Sequence, residues 1–83
     1  MRALYFAWVR ERIGKTEEEL APPEDVKTVG ELMGWLSSQG ENYAAAFAQI
    51  KTMRAALDRI HVKHDALLGN AREIAFFPPM TGG

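Results

Sequence analysis

The sequence predicts an α+β domain, a mixed sheet with helices packed on one face. Three observations predict it. Residues 2 to 9 are rich in aromatic and branched side chains, apolar from residue 3 on, and too short for a helix on their own. Thr28, with Glu31 three residues on, opens a stretch where Val29, Leu32, Met33 and Leu36 recur at helical spacing. Near the end, Ile74 and Phe76 alternate with Ala75 and Phe77.

In chain order, residues 2 to 9 read as a strand with Ala3, Tyr5, Ala7 and Val9 on one face. Leu4, Phe6 and Trp8 take the other face. Both faces are apolar, so the strand is central or one face is covered. Gly14-Lys15-Thr16 is a turn, Glu17 to Leu20 a short second strand, and Ala21-Pro22-Pro23 ends it. The Thr28–Glu31 capping box starts a helix that Gly40 is expected to close as a left-handed cap. Glu41 to Ala48 continues as a shorter helix, with Phe47 and Ile50 turned inward. Arg54 to Leu57 and Ile60 to Val62 read as strands, Asp65 to Leu68 as a single turn, and Gly69-Asn70 as a break. Arg72 to Phe77 is the last strand.

Length and composition narrow the function classes. Eighty-three residues make one domain. A 47% hydrophobic, 25% charged chain is ordinary for a globular protein and not for a disordered one. Ten basic against 11 acidic residues leave a net charge of −1, so neither nucleic acid nor an anionic membrane is indicated as a partner. Without cysteine there is no disulfide framework, thiol nucleophile or cysteine metal site. The apolar start leads straight into Arg10-Glu11-Arg12 with no small-residue cleavage site, so it is not read as a signal peptide, and the cytoplasm is expected. His61 and His64 lack a third ligand at convincing spacing, and no metal is expected; both read as solvated. The run Glu17-Glu18-Glu19 reads as a solvated strand edge. Lone carboxylates elsewhere show no paired arrangement for acid–base work. Arg54, Arg59, Lys63 and Arg72 are candidates to dock an acidic protein surface.

The last eight residues are Phe76-Phe77-Pro78-Pro79-Met80-Thr81-Gly82-Gly83. Two prolines favour an extended path, and two glycines add no side chain to block a narrow channel. The six residues after Phe77 reach on the order of 20 Å. The expected organisation is a folded domain over 1–77 and a flexible reactive tail over 78–83.

This terminus resembles that of the small, sulfur-carrying subunit family of molybdopterin synthase. The resemblance extends to Leu4-Tyr5-Phe6-Ala7-Trp8-Val9-Arg10-Glu11, to Thr28-Val29-Gly30-Glu31-Leu32 with Trp35-Leu36, and to Glu73-Ile74-Ala75-Phe76-Phe77. Met80-Thr81 and Gly69-Asn70-Ala71-Arg72 depart from the usual pattern without touching the reactive end. The resemblance implies a ubiquitin-like β-grasp fold and a thiocarboxylate on Gly83. An adenylating, ubiquitin-activating-like enzyme would use ATP to activate Gly83, with Arg54, Arg59, Lys63 and Arg72 as candidates to dock an acidic surface of that enzyme, and no cofactor would be bound by the chain. Pro78, Pro79, Met80, Thr81 and Gly82 would lie in the active site of the large synthase subunit. The resemblance also implies a heterotetramer with two small subunits at opposite ends of a dimer of large ones.

In a grasp fold the first and last strands are neighbours. Leu4, Phe6 and Phe77 would then share the outer sheet face, with Trp8 beside them, as a partner interface. Competing functions are a carrier of the same fold for thiamine synthesis or tRNA thiolation, a ubiquitin-like protein modifier, and an interaction domain with an inert tail. Thiamine carriers look shorter and lack the alanine-rich helix at 41 to 48.

Overall fold

A computed structural model describes residues 1–79. The strands are β1 (Arg2–Tyr5), β2 (Glu17–Glu19), β3 (Arg54–Leu57), β4 (Ile60–Val62) and β5 (Glu73–Phe77). The helices are α1 (Ala7–Ile13), α2 (Val29–Ser37) and α3 (Glu41–Ala46), followed by a 3-10 turn at Ile50–Thr52. The sheet order is β2-β1-β5-β3-β4. β1 and β5 pair in parallel and the other neighbours antiparallel, which is the mixed sheet expected.

The first strand is shorter than the apolar run. It stops at Tyr5, and Ala7 takes a left-handed φ of 54° that turns the chain into α1. Val9 and Ile13, four apart, then face the core, and Gly14 closes the helix at φ 86° with its N–H on the Arg10 carbonyl. Ala7 is therefore exposed rather than on a core face, and Trp8 rides on a helix beneath the Arg12 guanidinium, 4.4 Å from its ring centroid.

α2 begins as the capping box predicts. Glu31 N–H donates to Thr28 Oγ1 at 3.1 Å, and Thr28 N–H returns to Glu31 Oε1 at 3.0 Å. Its stripe of Val29, Leu32, Met33 and Leu36 is buried. The helix ends differently from expectation. Ser38 stays right-handed and its Oγ, with Gln39 Nε2, donates to the Trp35 carbonyl. Those side chains cap the end, so no left-handed residue is needed. Gly40 is extended, at φ 168°, and leads into α3, which stops at Ala46. Residues 65–68 form no helical turn. The turn falls at 64–65, and Leu67 bridges to Thr28 in extended chain. There Gly30 N–H meets the His64 carbonyl at 2.8 Å, and a Cβ on Gly30 would sit 3.3 Å from that oxygen.

One face of the sheet makes the core with the helices. Ala3, Tyr5, Ala55, Leu57, Ile74 and Phe76 point inward against Val9, Ile13, α2 and Phe47. Phe76 lies at the centre, stacked near Tyr5 (6.3 Å) and edge-on to Phe47 (5.1 Å, 84°). Such aromatic pairs add about 0.5–1.5 kcal/mol beyond the area they bury. Ile50 packs against this core from its rim.

Glu18 departs from the solvated reading of its acidic run. It pairs opposite Ala3, which turns it to the helix side. There its Oε2 accepts from Tyr5 Oη and Tyr43 Oη, both at 2.7 Å, and its Oε1 accepts from Lys15 Nζ at 3.1 Å. Burial pushes the Glu18 carboxyl up, but the bonds from Tyr43, Tyr5 and Lys15 outweigh it and hold the group below its usual range. Burial, then the bond to Glu18, raises both tyrosines. The network ties β1, β2 and α3 together. A carboxylate with a lowered native pKa stabilises the fold above its ordinary value of 4.5 and loses that contribution as pH falls through the native one. Glu18→Gln is therefore expected to cost about 2 kcal/mol at pH 7. The gap from the parent should close on acidification below the usual carboxylate range. Urea melts of both proteins at neutral and acid pH read this, and a gap that does not narrow would contradict it.

Candidate functional site at the root of the tail

β5 is set in register by the hairpin beside it. Asp58 and Arg59 both take left-handed angles (φ 48° and 71°), as a two-residue hairpin turn requires. Asp58 Oδ1 then accepts from the N–H groups of Arg72 and Glu73 at 3.0 and 3.1 Å. This fixes where β5 starts, and so where Phe77 hands over to the tail.

The outer sheet face gathers the expected residues. Leu4 pairs with Ala75 across β1 and β5, and Phe6 N–H donates to the Phe76 carbonyl, one residue before Phe77. Leu4 and Phe77 are half-buried and Phe6 is 46% exposed. Core packing does not account for these three side chains, because the opposite face already carries Tyr5, Ile74 and Phe76. Trp8 is not part of this strand face, since it lies on α1. Pro78 and Pro79 follow, half-buried. Met80, Thr81, Gly82 and Gly83 lie outside the described residues.

Two residues join this face that the sequence reading did not place there: His61, read as solvated, and Arg54, a candidate to dock an acidic surface. The His61 ring packs at 5.1 Å from the Phe77 ring. Arg54 is the direct cross-strand neighbour of Phe77. Alternation within Ile60–Val62 held the signal for His61, but nothing local reveals which strand β4 would pair with. His64 is not solvated either: its Nε2 donates to the Met53 carbonyl at 2.7 Å. Of the four basic residues expected to dock an acidic surface, Arg59 is already drawn to Glu73 at 3.5 Å. Among the described residues no histidine and carboxylate group could hold a metal, and no helix is long and apolar enough to cross a membrane. What the arrangement offers is a firmly held strand end with apolar side chains beside an outgoing tail.

A model of the ThiS family matches residues 3–83. The chain belongs to the ThiS family. Two relatives align along the whole chain. One from Escherichia coli (strain K12), named molybdopterin synthase sulfur carrier subunit, is 37% identical over 83 residues, covering 100% of this chain and 99% of that protein. Another of the same name, from Haemophilus influenzae (strain ATCC 51907 / DSM 11121 / KW20 / Rd), is 32% identical with the same coverage.

Among solved structures, SAMP1 from Haloferax volcanii superposes with a TM-score of 0.71 at 20% identity, covering 100% of this chain and 98% of that one. A putative molybdopterin converting factor, subunit 1, from Pyrococcus furiosus gives 0.64 at 23% identity, covering 94% of each chain. At that identity these two speak for the fold alone. The ThiS-family chain described here has the ubiquitin-like β-grasp fold, with its helices on one face of the mixed sheet.

Proposed function

We propose that this chain is the sulfur-carrying small subunit of a molybdopterin synthase, with Gly83 as the residue that bears sulfur. The observation that carries the reading is the end-to-end likeness, at 37% identity, to a molybdopterin synthase sulfur carrier subunit. A strand end clamped by Asp58, beside half-buried Leu4 and Phe77 and exposed Phe6, supports it.

The chemistry follows from a carboxylate's inertness. In the Gly83 carboxylate, resonance must be broken before the carbonyl carbon can be attacked. An adenylating enzyme supplies the activation: a carboxylate oxygen attacks the α-phosphate of ATP, and pyrophosphate leaves. Hydrosulfide, or sulfur delivered at that oxidation level, then adds at the acyl carbon and AMP departs with the electrons of its acyl–oxygen bond, leaving a thiocarboxylate. Its sulfur is a good nucleophile and bonds to a pterin precursor in the large subunit. Water then cleaves the Gly83 acyl–sulfur bond and regenerates the carboxylate, and two such transfers supply the dithiolene of molybdopterin. Pro78 and Pro79 lower the ordering entropy lost when the tail is threaded. Leu4, Phe6 and Phe77 form the surface the large subunit covers, and acid–base groups come from that partner. The adenylating enzyme is the second partner, and the cytoplasm is the compartment.

ATP–pyrophosphate exchange catalysed by the adenylating enzyme of the same organism tests the activation step. Exchange that requires this chain is the expected result. Exchange that proceeds equally without it would contradict the reading.

A further inference from the structure

Beside the tail root runs an open groove of about 400 Å³ that the apolar face does not include. Lys51, Arg54 and Lys63 line it, with His64, Met53 and Pro79. Its cations come from three places in the chain: the 3-10 turn, the start of β3 and the residue after β4. None of the three makes an ion pair among the described residues. Arg2, Lys15 and Arg59 have carboxylate partners, whereas Arg10, Arg12, Lys27 and Arg72 have none among the described residues but lie apart from the groove. What distinguishes Lys51, Arg54 and Lys63 is that they line one groove together. Three exposed, unpaired cations therefore converge where Pro79 leads into the tail.

The groove's other polar groups are already engaged. Thr52 and Met53 N–H donate to the Gln49 and Ile50 carbonyls, and Thr52 Oγ1 also donates to Gln49. His64 Nε2 is held by the Met53 carbonyl. Main-chain donors of the kind that cradle phosphate are thus not offered by Thr52 or Met53. What remains is a row of flexible side-chain cations, which matches carboxylates on a protein surface.

We propose that this groove docks an acidic segment of the adenylating enzyme, at the mouth of the channel that takes the tail. This rests on the sulfur-carrier reading above. Two features favour that partner over the large subunit. Lasting subunit contacts are more apolar, and the face of Leu4, Phe6 and Phe77 supplies such a contact. A partner that binds and leaves in each cycle gains from charged rim contacts, which raise the rate of encounter. Gly83 lies four residues, about 13 Å of extended chain, beyond Pro79, so the enzyme that holds Gly83 must also stand over the groove.

The test compares the full chain with its K51Q/K63Q variant, which spares Arg54 beside Phe77, and with R10Q/K27Q as a control for cations elsewhere. Pyrophosphate exchange with the adenylating enzyme gives KM and kcat for each, over a range of salt. The groove variant is expected to raise KM by about tenfold with kcat held, and to flatten its salt dependence. The control should match the parent, as should the groove variant's affinity for the large subunit. An unchanged KM, or an equal loss toward both partners, overturns the proposal. If the parent chain itself supports no exchange, it is the sulfur-carrier reading that fails.

Discussion

Deleting Gly82 and Gly83 is expected to abolish sulfur transfer while leaving the melting temperature unchanged. The two halves of that result have separate physical causes. The core closes at Phe76, and no residue beyond Phe77 contributes to it among those described. Chemistry, by contrast, needs the terminal carbonyl in a partner's active site. Removing only Gly83 shortens the reach by about 3.3 Å. A misplacement of even about 1 Å can cost on the order of 100-fold in rate, so the single deletion should be nearly as damaging. Synthase turnover with each truncated chain, beside a thermal melt, reads both halves. Full turnover in either truncated chain would refute the assignment of Gly83.

The adjacent aromatics Phe76 and Phe77 are expected to fail in opposite ways when each is cut to alanine. Phe76 is wholly buried between Tyr5 and Phe47. Its loss should cost about 3–5 kcal/mol. That is a large share of the roughly 5–15 kcal/mol by which a domain is stable. Phe77 faces the other way, half-buried beside His61 and Arg54. Phe77→Ala should barely move the melting temperature. Its affinity for the large subunit should fall by about 2 kcal/mol, as for an interface anchor. Melts and titration calorimetry on the two variants separate these effects. If Phe77→Ala unfolds the domain and spares binding, the outer face is not the interface.

Period and punctuation made most of the fold legible. The capping box and stripe gave α2, and strict alternation gave β5 with the correct faces. The first and last strands lie side by side, as a grasp fold requires. The apolar run at 3 to 9 misled because aromatic and branched residues serve a strand and a helix alike. Its true break is the left-handed Ala7, a residue type that gives no sign of such an angle. The real helix signal was Val9 and Ile13 at four-residue spacing before Gly14.

At the site, alternation set Leu4 and Phe6 on one strand face and Phe77 on another, and only the grasp-fold resemblance brought the three onto one outer face. Local pattern missed contacts set by long-range pairing. His61 reaches Phe77 only because β3 lies between β4 and β5. Glu18 looked solvated because its partners, Tyr5 and Tyr43, are 13 and 25 residues away. The groove of Lys51, Arg54 and Lys63 exists only once a turn and two strands meet.

The most direct test of the sulfur-carrier account exploits the absence of cysteine. The chain is purified from cells with the sulfur pathway intact, treated with a thiol alkylator, and its C-terminal peptide fragmented in a mass spectrometer. Intact mass would not serve, because exchanging oxygen for sulfur weighs nearly the same as oxidising one of the four methionines. The account predicts alkylation localised to Gly83. A tail that stays unalkylated, even after incubation with the adenylating enzyme, ATP and a sulfur donor, would contradict it.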